Sequence, residues 1–336
     1  NLMDSLTQIV LGASVGEVVL GRKVGNKAML YGAIAGTIPD LDVIASNFTD
    51  TITANEIHRG FTHSIFFALI FAPIFGWIIS KIERKADVDW KEWSKLMFWG
   101  LFTHPLLDMF TTWGTQLFWP ADIRLAFKTI FVIDPFYTLP FLFFTVLAAF
   151  RPKDSISRRK LNYMGLQLSC FYLLCITIPL KLYTFYEFKD ALKEQNLSYY
   201  EIETKPTPFN TILWTANVAT EKSYLVGTYS ILDDQPIEFR RYPKNYHLLG
   251  DIEKYPNFAR LVKISKGWYT ITERDGDLYF NDLRFGTIDP TGNDSRFVFS
   301  YKLEVKNGEL TATEVKKDYG DASRMMKGLF ERIRGN

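Results

Sequence analysis

Three of the four histidines in this chain fall into two short motifs, and acidic residues stand near both. The acidic cluster is Pro39-Asp40-Leu41-Asp42. Proline disfavours helix at Ile38, and in an extended stretch side chains repeat every two residues, so Asp40 and Asp42 are expected to face one point. The first histidine motif is His58-Arg59-Gly60-Phe61-Thr62-His63-Ser64. Gly60 permits a turn that brings two imidazoles onto one centre, and Thr62 or Ser64 can cap the helix that follows. The second is His104-Pro105-Leu106-Leu107-Asp108, whose i, i+4 imidazole and carboxylate share one helix face.

Three histidines and three aspartates are enough nitrogen and oxygen donors for one or two divalent ions, with zinc the first choice and manganese or iron alternatives. Without metal, three such carboxylates in a low-dielectric setting would repel one another. A metal here would lower the pKa of bound water and polarise a carbonyl or phosphoryl oxygen, which is hydrolytic chemistry, with Asp42, Asp108 or Glu17 as candidates to carry the proton. The expected ligands are therefore Asp40, Asp42, His58, His63, His104 and Asp108, with Asp134 as an additional ligand or as a partner that orients a ligand. Glu17 either faces the site or pairs with a polar neighbour such as Gln8 or Thr37.

The elements that must position these residues are apolar. Six stretches approach the ~20 residues a bilayer requires: Leu6 to Leu20, Ala28 to Ser46, Phe61 to Ser80, Leu96 to Leu117, Ile130 to Phe150 and Leu161 to Leu182. The fold expected is a polytopic α-helical membrane domain of about six transmembrane helices over residues 1–190, then a soluble α+β domain over 191–336. Lysine and arginine number thirteen in the first, third and fifth connections between these stretches and three on the other side, namely Arg59, Arg124 and Lys128. The positive-inside rule then places the termini, all six candidate ligands and the C-terminal domain on the extracytoplasmic side of the cell membrane. Arg59, Arg124 and Lys128 are candidates to hold an anionic head group, or else they snorkel at the interface. The start lacks the basic region and cleavage site of a signal peptide.

A formal net charge of +2 argues against nucleic acid as a partner. The partners expected are the lipid bilayer and a lipid or lipid-linked substrate, and nothing in the sequence sets the oligomeric state. Cys170 and Cys175 lie five residues apart within the last apolar stretch and say little about redox compartment. From about Asn196 the pattern changes to short alternating strands. Asp275-Gly276 and Asn307-Gly308 read as two-residue hairpin turns, and residues 322–333 as a closing amphipathic helix. His247 stands in this half without metal-ligand spacing.

The HRGFTHS run, preceded by Pro39 to Asp42 and followed by His104 to Asp108, Thr111, Gly114 and Pro120, resembles the YdjM-like family of inner-membrane proteins described as metal-dependent hydrolases. The resemblance covers about residues 1–150. It implies a membrane-bound metal hydrolase with the Asp and His residues above as ligands; the membrane setting and the three outer basic residues make a lipid or lipid-linked ester, amide or phosphoester the expected substrate. One departure is that the family pattern has a histidine near the start of the first segment, where this chain has Thr7-Gln8; Gln8 is then a weak ligand, or Glu17 takes that function. Two rival readings stay open: a metal or proton transporter, and a non-catalytic membrane protein with a structural metal.

Overall fold

Leu2–Val24 (α1) and Asn26–Thr37 (α2) form a close helical hairpin because glycines line their contact. A Cβ on Gly12 would come within 2.2 Å of the Gly32 carbonyl oxygen, and one on Gly16 within 2.1 Å of the Ala28 oxygen. Backbone therefore meets backbone, which only small residues allow. The computed structural model describes residues 2–46, 48–287, 296–315 and 322–335. The chain divides into two units: Asn1–Asn47 with Ile57–Leu180 and Pro208–Thr211, and Phe48–Glu56 with Lys181–Thr207 and Ile212–Asn336.

In the first unit α2 ends in a 3₁₀ turn, Ile38–Leu41, followed by Asp42–Ser46 (α3). Thr51–Ile57 (α4) falls almost wholly in the second unit. A second 3₁₀ turn, Phe61–His63, then leads into Ile65–Ile82 (α5), which Ser64 caps by accepting from the Phe67 N–H. Trp90–Asp108 (α6) begins at an Asp89 cap, and Pro135–Ala149 (α7) begins at Asp134, whose side chain accepts from the N–H groups of Phe136 and Tyr137. Ile156–Phe171 (α8) and Ile178–Glu194 (α9) are joined through a π-helical turn, Tyr172–Thr177, into one long helix. Ala28 and Ala35 of α2 pack with Phe67 and Ala72 of α5 and with Trp93, Leu96 and Leu101 of α6 in one core.

The expectation of about six transmembrane helices is overturned. Among the described residues two helices are long and apolar enough to cross a membrane, Ile65–Ile82 and Ile156–Glu194. Helix α2 has 12 residues and α7 has 15. At about 1.5 Å per residue these reach roughly 18 and 22 Å, short of a hydrocarbon core of about 30 Å. Helix α1 carries Glu17, Arg22 and Lys23, α6 carries Lys91, Glu92, Lys95 and Asp108, and Trp93, Leu96, Met97 and Leu101 of α6 are buried in the core with α2 and α5. A hydropathy window counts an apolar residue equally whether it faces lipid or a neighbouring helix.

The second unit holds two antiparallel meanders. Glu201–Pro206 (β1), Leu213–Ala219 (β2), Ser223–Ser230 (β3) and Phe239–Pro243 (β4) form one sheet in sequence order. Tyr269–Arg274 (β5), Asp277–Thr287 (β6), Phe297–Lys306 (β7) and Glu309–Glu314 (β8) form the other. Both expected hairpin turns are present, with positive φ at Asp275 and Gly276 and at Asn307 and Gly308, as the twist of a two-residue hairpin requires. Pro256–Ile264 (α10) and Ile52 of α4 join the core of the second sheet, and Ala322–Ile333 (α11) closes the chain.

Candidate metal centre

Four side chains from three elements converge in the first unit: Asp40 from the 3₁₀ turn after α2, His63 from the turn before α5, and His104 and Asp108 from α6. Their donor atoms all lie within 4.8 Å of one another. The Nε2 atoms of His63 and His104 are 3.1 Å apart. Asp40 Oδ1 is 3.4 Å from both nitrogens, and Asp108 Oδ2 is 3.3 Å from His63 Nε2 and 3.4 Å from His104 Nε2. Ligand atoms held about 2.0–2.1 Å from one ion lie about 2.8–3.4 Å apart at octahedral to tetrahedral angles, and five of the six separations among these donors fall in that range. His63 is 0 % exposed, and His104 and Asp108 are 1 % exposed. Asp108 Oδ2 is buried and accepts no hydrogen bond among the described residues; it faces the Arg59 guanidinium, 3.4 Å away at Nε, as well as the two imidazole nitrogens.

Surrounding groups aim these donors. His104 Nδ1 donates to the Gly36 carbonyl oxygen at 2.6 Å, which turns the Nε2 lone pair toward the other three ligands. Thr62 Oγ1 is 3.0 Å from His63 Nδ1 and fixes the orientation of that ring. Gln8 Nε2 donates to Asp108 Oδ1 at 3.0 Å and to the His104 carbonyl at 3.3 Å, so Asp108 is held by one oxygen and offers the other. Gln8 thus orients a ligand. The glycine seam of α1 and α2 is what places Gln8 and Gly36 side by side, since a Cβ on Gly36 would lie 2.5 Å from the Gln8 carbonyl.

Asp42 and His58 stand outside the group of four. The stretch at Pro39 is a 3₁₀ turn instead of an extended strand, and at three residues per turn positions i and i+2 point apart. Asp42 therefore turns away from Asp40. Its Oδ2 accepts from the Arg59 N–H at 2.8 Å and its Oδ1 is 3.3 Å from His58 Nδ1. The left-handed residue of the HRG turn is Arg59, at φ 56°, while Gly60 has φ −95°. A non-glycine residue there is strained, and contacts on every side hold it: Nη1 donates to Thr111 Oγ1 at 2.9 Å, Nε is 3.4 Å from Asp108 Oδ2, and its carbonyl accepts from the Gln116 N–H at 3.0 Å.

The remaining candidates are placed as follows. Glu17 is not brought to the cluster: Arg158 of α8 donates Nε to Oε1 at 2.7 Å and Nη2 to Oε2 at 2.6 Å, and both groups are buried. Nine residues beyond Gln8 on α1, it lies about 13 Å further along the helix axis. Asp134 caps α7 and accepts from the Tyr172 hydroxyl at 3.0 Å; with Gln8, Asp108 and Thr111 it lines a cavity of about 10 Å³, close to what one water needs. Arg124 donates to the His58 carbonyl at 3.1 Å, with its guanidinium 6.0 Å from the Trp113 ring centroid. Lys128 is buried. The Gly36 carbonyl was missed by sequence reasoning, although the four-residue spacing of Gly12 with Gly16 and of Gly32 with Gly36 signals the close helix pair that presents it.

Fold and site together describe a membrane-associated helical unit built around a cluster of two histidines and two aspartates able to hold a metal ion. The profile of the family described as YdjM inner membrane protein matches residues 3–183, more than half of the chain, and the protein belongs to that family. It is 30% identical over 145 residues to the "Uncharacterized protein YfhP" of Bacillus subtilis (strain 168), covering 40% of this chain and 42% of that protein. It is 35% identical over 101 residues to the "Inner membrane protein YbcI" of Escherichia coli (strain K12), covering 30% of this chain and 57% of that one. The chain spans about half the length of these curated relatives. No solved structure matches.

Proposed function

We propose that this protein is a metal-dependent hydrolase of the cell membrane that acts on a lipid or lipid-linked ester, amide or phosphoester at the extracytoplasmic face. The observation that carries the reading is the set of five donor separations of 3.1–3.4 Å around two imidazoles and two carboxylates. Asp40, His63, His104 and Asp108 would hold one divalent ion, with zinc the best match to the donors and manganese or iron also compatible. A bound ion would supply Lewis acidity and lower the pKa of a water molecule. His58, whose side chain is 30% exposed, pairs with Asp42, and this dyad is suited to move a proton at the open edge of the site. Arg124 beside His58 supplies positive charge for an anionic head group, while Arg59 holds Asp108 in place.

The two candidate spans support the orientation. Lys81, Arg84 and Lys85 cluster at the end of α5 distant from the HRG turn, and Arg151, Lys153, Arg158, Arg159 and Lys160 at the start of α8. The positive-inside rule assigns both clusters to the cytoplasm, which puts the HRG turn and the chain after α9 outside.

The test is turnover. Detergent-purified protein is stripped with chelator, restored with zinc, manganese or iron, and offered phospholipids and lipid-linked phosphoesters, esters and amides. Metal-restored turnover that His58→Asn abolishes while metal content stays unchanged supports the reading. Fully loaded protein inactive on every class would overturn it in favour of a structural metal.

A further inference from the structure

We infer that the hairpin Thr115–Leu125 is an interfacial membrane anchor, docking on the head-group region of the bilayer beside the open edge of the metal centre. The inference rests on the membrane family and on α5, and is independent of hydrolysis.

Phe118, Trp119 and Ile123 are all exposed on this short non-helical loop. Three large apolar side chains presented together at a loop tip mark a contact surface. Asp122 and Arg124 flank them, giving the mixed aromatic and charged character of a membrane–water boundary.

The backbone is prepared for such a place, where unpaired N–H and C=O groups are costly. Thr115 and Leu125 exchange a pair of hydrogen bonds of 2.9 Å each. The N–H groups of Trp119, Ala121 and Ile123 donate to the carbonyls of Gln116, Phe118 and Ala121 at 3.0, 3.0 and 2.8 Å. Gly114, at φ 72°, lets the two arms close, since a Cβ there would sit 2.2 Å from the Leu125 oxygen.

The occupant is argued from what the hairpin is fastened to. The Ile65 N–H, at the first residue of the candidate span α5, donates to the Leu117 carbonyl at 3.0 Å, and the Trp119 ring meets Phe61 at 4.8 Å. Phe66, Leu69, Ile70 and Ile74 on α5 are exposed as well, so the span to which the hairpin is bonded presents apolar side chains of its own. A bilayer covering α5 reaches the tip at the level where the span begins. The hairpin base also carries the Arg124 contact to the His58 carbonyl, so head groups meeting the tip lie beside the His58–Asp42 pair.

The test uses the full chain in nanodiscs. Tryptophan emission of wild type minus Trp119→Phe isolates one ring. Loss of this difference emission with lipids brominated near the head group, and little loss with aqueous acrylamide, is expected. A spin label at Ile123→Cys, in a Cys170→Ser/Cys175→Ser background, should be accessible to oxygen and shielded from a water-soluble nickel chelate. Acrylamide quenching with no effect of brominated lipid, or a label open to the nickel chelate, would overturn the anchor and assign the tip to water or a protein partner. Neither readout involves turnover, so failure of the anchor and failure of the hydrolase reading are distinguishable.

Discussion

Substituting alanine at Gly12 tests how the helix seam controls the metal centre. The new Cβ would lie 2.2 Å from the Gly32 oxygen, and real Cβ contacts do not fall below 3.0 Å, so α1 and α2 must part by at least about 0.8 Å. If α1 moves, the Gln8 to Asp108 bond of 3.0 Å lengthens by up to about 0.8 Å, which carries it toward the limit of hydrogen-bonding range. If α2 moves, the Gly36 to His104 contact of 2.6 Å lengthens by up to about 0.8 Å and weakens. Either way the support of one ligand weakens. Overpacking of this kind costs about 1–3 kcal/mol of stability. Loss of a group that orients a ligand lowers metal affinity about 10- to 100-fold. The assay is a competition titration of metal against a chelating indicator, on protein shown by circular dichroism to be folded. A folded Gly12→Ala protein with affinity within about twofold of wild type would refute the coupling.

Gln8→Leu should weaken metal binding by a similar factor and leave Asp108 Oδ1 unsatisfied, at about 1–3 kcal/mol; an unchanged titration would remove Gln8 from the account. Glu17→Ala should destabilise the first unit by about 3–5 kcal/mol, because it leaves Arg158 buried without its counter-charge, and should do so with metal stoichiometry unchanged. Loss of metal from folded Glu17→Ala protein would put Glu17 back at the site. In the second unit Asp50 accepts from the Ile52 and Thr53 N–H groups; burial raises its pKa, but those bonds and the Thr53 hydroxyl outweigh it and hold the carboxyl below its usual value. With a depressed folded pKa, its stabilisation is complete above about pH 4 and fades as pH falls through the folded value, so the Tm gap between wild type and Asp50→Ala narrows below pH 4. A gap constant from pH 7 to pH 2 would contradict this.

What could be read from the residues depended on how local the signal was. The strands of the second unit follow their alternation, and the Asp275-Gly276 and Asn307-Gly308 turns follow from residues that tolerate positive φ. β4 carries little strand signal in its sequence, because Phe239-Arg-Arg-Tyr-Pro lies at a sheet edge, with charges and a proline in place of alternation. His63, His104, Asp40 and Asp108 were legible as chemistry, since imidazoles and carboxylates in apolar surroundings need a reason. The division of labour among them was not. It depends on a 3₁₀ turn that separates Asp40 from Asp42 and on partners far away in sequence, such as Arg158 for Glu17. The count of spans failed because α2 and α7 are too short for a hydrocarbon core and α1 and α6 carry charge within their length.

The most direct test of the central claim is the metal content of purified protein by elemental analysis, for wild type beside His63→Ala and Asp108→Asn. The account predicts about one equivalent of a divalent metal in wild type and its loss from both variants, with Asp42→Asn retaining most of it because Asp42 lies outside the coordinating group. Wild type that is metal-free, takes up none on reconstitution and stays folded would contradict it.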